Sequence, residues 1–205
     1  MRSSNHWSAV GFVVLGLAAA SNVACQRAEA AEPPGEIEGT VSASVEKQRE
    51  NTVVWVKNAG AGTASGTVKM DQRGLVFLPR VLPIQKGTTV EFNNFDTVSH
   101  NVFTPDGDKY DLGTFPKGEV RTKKFETAGV FRQLCHLHSE MAAFIVVVDT
   151  KYFAISDKKG AFKIPALPPG QYTLGIWHEK LSAKDASVKV EAGKAATIEI
   201  KLEKK

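Results

Sequence analysis

The feature that most restricts the fold is a punctuation pattern. From residue 37 onward the chain is a succession of short runs rich in Val, Ile, Thr and Phe, each closed within a few residues by Gly, Pro, Asn or Asp. No long segment repeats its apolar residues at helical spacing, so the pattern predicts an all-β protein. Strands are expected at residues 37–41, 52–56, 68–71, 76–84, 88–93, 98–103, 119–125, 129–135 and 142–149. Further strands are expected at 152–155, 162–164, 172–177, 186–190 and 196–202. Pro79 and Pro83 remove ladder donors from the fourth run, which suits an edge or bulged strand. The small-residue stretch 59–66 reads as a flexible connection or wide turn. The seven runs between 66 and 149 suffice for a Greek-key sandwich. Residues 151–205 read as a separate β unit with a solvated tail at 203–205.

The N-terminus has a different character. Arg2 precedes an apolar run, Ala9 to Ala20, that is too short for a membrane span, and Ala28-Glu29-Ala30 offers the small residues of a cleavage site. Residues 1–30 are therefore expected to be a signal peptide and the protein periplasmic, with no membrane span. A second reading makes Cys25 a lipidated first residue, after Val23-Ala24. The formal charge of +4 falls by one unit without the leader, which carries Arg2 and Arg27 against Glu29. So mild a balance gives no reason to expect a nucleic-acid partner.

Chemistry concentrates in Cys135-His136-Leu137-His138-Ser139-Glu140-Met141, which sets a thiol, two imidazoles and a thioether within one short loop. Cys135, His138 and Met141 can ligate one soft metal ion, and a second imidazole must come from elsewhere. Of the five histidines, His6 lies in the leader and His178 in the C-terminal unit, which leaves His100 in Ser99-His100-Asn101-Val102. A thiolate, two imidazoles and a weak axial thioether suit copper that alternates between two oxidation states. Export adds a reason. With Cys25 removed Cys135 has no disulfide partner, and ligation would protect its thiol from oxidation. Two other readings stand beside this one: Cys135 and Met141 as ordinary core residues, and a zinc site that recruits His136. Period-two alternation after a strand ending at Cys135 would turn His136 outward.

On these residues the chain resembles a family. Pro83-Ile84-Gln85-Lys86-Gly87-Thr88-Thr89-Val90-Glu91-Phe92-Asn93-Asn94, Ser99-His100-Asn101-Val102 and Cys135-x-x-His138-x-x-Met141 resemble a cupredoxin of the plastocyanin and amicyanin type over residues 66–149. Asp111-Leu112-Gly113, Phe115-Pro116-Lys117-Gly118 and Trp177-His178-Glu179 are similar to stretches of periplasmic plastocyanin-like proteins often labelled methylamine-utilization proteins. The resemblance implies one type 1 copper ion held by His100, Cys135, His138 and Met141, with Asn101 supporting the sulfur. Ser139 stands where such loops often carry Pro, which implies a less rigid loop. Asp157-Lys158-Lys159-Gly160-Ala161-Phe162 resembles a turn of the carboxypeptidase regulatory-like, transthyretin-type β-sandwich, whose opening strands are matched by Gly39-Thr40-Val41 and Val53-Val54-Trp55-Val56. Residues 31–65 are therefore expected to complete the sandwich of 151–205, with the cupredoxin inserted between them.

The function expected is a periplasmic carrier of single electrons, paired with a redox protein such as a c-type cytochrome or a dehydrogenase. A landing patch is expected at Leu137, Ala142 and Ala143. The alternative is a copper-binding or sensing module whose outer sandwich attaches it to another protein. An enzyme is not expected, because four ligands leave no open position for substrate. His178 and Glu179 are read as an inter-domain or solvated polar contact in preference to a catalytic pair.

Overall fold

The computed structural model describes residues 32–205. The expected leader, with His6 and Cys25, lies outside them. The described chain opens with β1 (Gly35–Ser42), a single 3-10 turn (Glu46–Gln48) and β2 (Val53–Val56). It continues through β3 (Thr67–Gln72), β4 (Phe77–Leu78), β5 (Val81–Gln85), β6 (Thr89–Asn94), β7 (His100–Thr104) and β8 (Tyr110–Phe115). Then come β9 (Val120–Lys124), β10 (Gly129–Leu134) and β11 (Ala142–Val148). The last strands are β12 (Phe153–Ile155), β13 (Ala161–Leu167), β14 (Gly170–Trp177), β15 (Leu181–Ser182), β16 (Ala186–Val190), β17 (Ala195–Lys201) and β18 (Glu203–Lys204). The fold is all-β, as the run-and-turn pattern requires.

Two sheets form the inner sandwich: β4-β3-β6-β9, and β5-β11-β10-β7-β8. Two more form the outer one: β13-β1-β17, and β12-β2-β14-β16, with β15 and β18 paired at the side. β1 runs antiparallel to β13 and parallel to β17, while β2 lies between β12 and β14. The N-terminal strands thus pair with strands 98 or more residues downstream, the smallest separation being Trp55 to Phe153, and residues 57–149 lie between the two halves of the outer sandwich in sequence.

Alternation explains how the layers stack. In β11, Ile145 and Val147 enter the inner core with Phe92, Val102, Phe131 and Met141. Val146 and Val148 face the other way and join Val53 and Val81 in a separate cluster flanked by Trp55, Phe144, Phe153 and Trp177. A strand covered on both faces needs apolar residues at successive positions, which is why residues 143–148 lack the polar alternation of an exposed strand. β2 behaves alike: Val54 and Val56 belong to the outer core with Ile37, Ile164 and Leu174, and Val53 and Trp55 to the layer between the sandwiches. Gly175 permits this, because a Cβ there would lie 2.5 Å from the Trp55 ring.

Several expectations change. The stretch 59–66 is pinned by hydrogen bonds from Gly62 N–H to Asp149 O (2.7 Å) and Ala64 N–H to Lys86 O (2.7 Å), and by Thr89 N–H donating to Gly66 O (2.9 Å). Small side chains let it lie close against the inner sandwich: at Gly87, with φ of +93°, a Cβ would sit 2.3 Å from the Ala64 carbonyl. The run 76–84 is divided into β4 and β5 around Pro79, and Pro83 lies in edge strand β5. The exposed tail pairs as β18 with β15.

Candidate metal centre

Three elements bring the donors together. His100 is the first residue of β7, Cys135 follows β10 directly, and Met141 immediately precedes β11. The loop from 135 to 141 is closed by Met141 N–H donating to His138 O at 3.0 Å. His100 and Met141 are fully buried and Cys135 nearly so, while His138 is partly exposed. The nitrogens His100 Nδ1 and His138 Nδ1 stand 3.1 Å apart, and Cys135 Sγ lies 3.8 Å from His138 Nδ1. All three donor atoms fall within 4.8 Å of one another.

Hydrogen bonds fix which face of each group looks inward. His100 Nε2 lies 2.8 Å from Asp96 Oδ2. Asp96 is itself held by the N–H groups of Gly74 (2.6 Å) and Leu75 (3.0 Å). Burial pushes the Asp96 carboxyl up, but the Leu75 and Gly74 N–H groups and His100 outweigh it, leaving the pKa below the ordinary aspartate value. An ionised Asp96 selects the tautomer with the proton on His100 Nε2, so the lone pair on Nδ1 points at the cluster. At 3.1 Å the two imidazole nitrogens can share a hydrogen bond, His138 Nδ1–H donating to the His100 lone pair, or, with that hydrogen lost, can turn both lone pairs on one metal ion. With a thiol converging on the same point, the donor set fits a soft ion such as copper.

Asn101 supports the sulfur through its backbone N–H, which lies 3.4 Å from Cys135 Sγ. Its side chain donates to Asp111 Oδ1 (2.6 Å) and accepts from His136 N–H (3.4 Å), tying β7 and β8 to the ligand loop. His136 turns outward, its ring stacked on Phe103 with centroids 3.7 Å apart and its Nε2 3.2 Å from Asp111 Oδ2. It does not join the cluster. A fourth Cys or His ligand for structural zinc is therefore missing among the described residues. The N–H of Gly113, with Asn101 and His136, keeps the Asp111 carboxyl below its ordinary range.

The structure changes the rim of the site. Ala143 is fully buried and contributes nothing to a landing patch, whereas Leu137 is 51% exposed and Phe95 and Val98 are 45% and 44% exposed. Phe95 and Val98 share the loop of Asp96, and Leu137 the loop of His138, so the apolar surface is carried by the two loops that meet at the cluster. His178 is buried, with its Nδ1 accepting from Lys180 N–H (3.2 Å) and Leu181 N–H (3.0 Å). Glu179 pairs with Arg80 across the sandwiches. Sequence reasoning missed Asp96 and Arg80. An acidic residue four positions before a candidate ligand was the available signal for Asp96.

Residues 64–148 match the family model of copper binding proteins of the plastocyanin/azurin family, and residues 141–203 match that of the carboxypeptidase regulatory-like domain. The two matches share residues 141–148, most of which form β11, whose ladders are with β10 and β5 of the inner sandwich. The second match also omits β1 and β2, which complete the outer sheets. No curated protein matches at a significant level. Among solved structures, a purple cupredoxin from Nitrosopumilus maritimus is 22% identical, with a TM-score of 0.38 over 40% of this chain and 99% of that one. A reduced mutant of amicyanin is 20% identical, with a TM-score of 0.39 over 46% of this chain and 98% of that one. A copper-containing nitrite reductase from Thermus scotoductus SA-01 is 21% identical, with a TM-score of 0.39 over 54% of this chain and 28% of that one.

The two family models define residues 64–148 as cupredoxin-like, a copper-binding fold, joined to a carboxypeptidase regulatory-like sandwich. In this chain the cupredoxin part is the matched segment 64–148, and β1 and β2 supply strands to the other part.

Proposed function

We propose that the protein is an exported, periplasmic electron carrier with one type 1 copper ion held by His100, Cys135, His138 and Met141. The observation that carries this reading is the convergence of His100 Nδ1, His138 Nδ1 and Cys135 Sγ within 4.8 Å, beside a fully buried Met141. Copper bound there would supply a one-electron couple. The chain's own residues supply the rest: Asp96 orients His100, the Asn101 N–H lies against the sulfur, and the inner core keeps bulk water away from three of the four ligands. His138, partly exposed next to Leu137 in the same loop, offers a partner an apolar contact close to the metal. The partner class is a soluble redox protein such as a c-type cytochrome or a dehydrogenase.

Mixing the copper-loaded, oxidised protein with a reduced soluble c-type cytochrome tests this reading. The expected result is second-order bleaching of the copper colour with a rate constant of about 10⁵–10⁷ M⁻¹s⁻¹, ordinary for specific association of two proteins. A copper-loaded protein that stays oxidised in contact with such donors would favour the binding or sensing module instead.

A further inference from the structure

Met141, the axial ligand of the reading above, has a backbone anchored on two sides. On one side its own N–H donates to His138 O at 3.0 Å, within the ligand loop. On the other, the carbonyl of Ala142, one residue further on, accepts from Arg80 Nη1 at 2.9 Å. Arg80 stands just before β5, and its backbone carbonyl also takes the N–H of Phe144 at 2.9 Å. The remaining edge of the guanidinium is gripped by the outer sandwich: Nε and Nη2 meet Glu179 Oε2 and Oε1 at 3.2 and 2.7 Å. This two-point match needs the planar fork of an arginine, since a lysine has a single nitrogen to offer.

Glu179 is held in place by its neighbours. Trp177 packs on Phe144 across the layer between the sandwiches, with ring centroids 5.2 Å apart. The buried His178 fixes the following turn through the N–H groups of Lys180 and Leu181, and the Glu179 carbonyl accepts from Lys205 Nζ at 3.0 Å. A thioether side chain has three rotatable bonds and no polar anchor, so its presentation follows from where its backbone is held.

We propose that Arg80 is a positioning residue for the metal centre, through which Glu179 of the outer sandwich sets how Met141 is presented to His100, Cys135 and His138. The proposal rests on the copper reading above and gives the outer sandwich a task in it: tuning the reduction potential of a site to which it contributes no ligand. The Arg80 and Glu179 side chains are 47% and 24% exposed, so breaking the pair loosens one peptide without removing either core.

The test is a double-mutant cycle on the copper-loaded full chain, comparing wild type, Arg80→Lys, Met141→Leu and the double variant by reduction potential and visible spectrum. Arg80→Lys keeps the charge and loses the fork. It is expected to raise the potential and alter the relative intensities of the copper bands in the Met141 background, because a looser thioether favours Cu(I), and to do neither in the Met141→Leu background. Glu179→Gln, which leaves the inner sandwich untouched, is the second variant and is expected to show the same dependence on Met141. Equal shifts in both backgrounds, or none in either, would overturn the proposal. A wild type that gains no colour with copper would instead overturn the site reading itself.

Discussion

His100 is held from both ends, and that explains why a single histidine far from the ligand loop can complete the centre. Nε2 is taken by Asp96 and Nδ1 is left facing His138. Replacing Asp96 by Ala frees the ring to turn and leaves the Gly74 and Leu75 N–H groups without their acceptor. Copper affinity is expected to fall about 10–100-fold, the usual effect of removing a partner that orients a ligating imidazole. A competition titration with a chelator measures it, and an unchanged affinity would show that the Asp96 contact does not orient the ligand. The approach of Cys135 to His138 was legible because the two stand three residues apart in one short loop. Asp96 and Arg80 were not equally legible: Asp96 works through N–H groups 21 and 22 residues away, and Arg80 through a carboxylate 99 residues away.

At the scale of elements, strands buried on one or both faces were readable, and strands made by pairing alone were not. β8 carries Asp111 and Gly113 and is largely exposed; it exists because its backbone completes the edge of a sheet beside β7. The two-residue strands β15 and β18 are too short to show any period. The stretch 59–66 misled in the opposite direction, since small residues that permit flexibility also permit close hydrogen-bonded packing. The link between β7 and β8 is fastened to β10 by Asp106, whose carboxylate accepts from the backbone N–H, Nε and Nη2 of Arg132, each at 2.9 Å. The Arg132 side chain is the main reason the Asp106 pKa lies below the ordinary 3.8. A carboxyl depressed in the folded state stabilises above its unfolded pKa, and that contribution is lost as pH falls through the folded value. Asp106→Asn should therefore weaken the protein at neutral pH and flatten the decline in stability below about pH 4. Urea unfolding across that range measures it, and parallel curves for the two proteins would refute the assignment.

For the whole molecule, four sheets enclose three apolar layers, and the chain enters and leaves the inner sandwich through the outer one. The outer sandwich was legible from Gly39-Thr40-Val41 and the turn at 157–162, but the residues joining the two sandwiches were not, because Trp55, Phe144 and Trp177 look in sequence like any core aromatics. Residues 151–205 alone lack β1 and β2, the central strand of one outer sheet and an inner strand of the other. They are expected not to fold, and adding residues 36–58 through a short Gly/Ser linker should restore cooperative melting. Cooperative melting of 151–205 by itself would contradict this division of the chain. Whether Cys135, His100, His138 and Met141 together hold copper is decided by the visible spectrum of the copper-loaded protein beside that of Cys135→Ser. An intense thiolate-to-copper band is expected in the wild type and should vanish in the variant while its β fold is retained; a Cys135→Ser protein that stays blue, or a wild type that never colours, would rule out this ligand set.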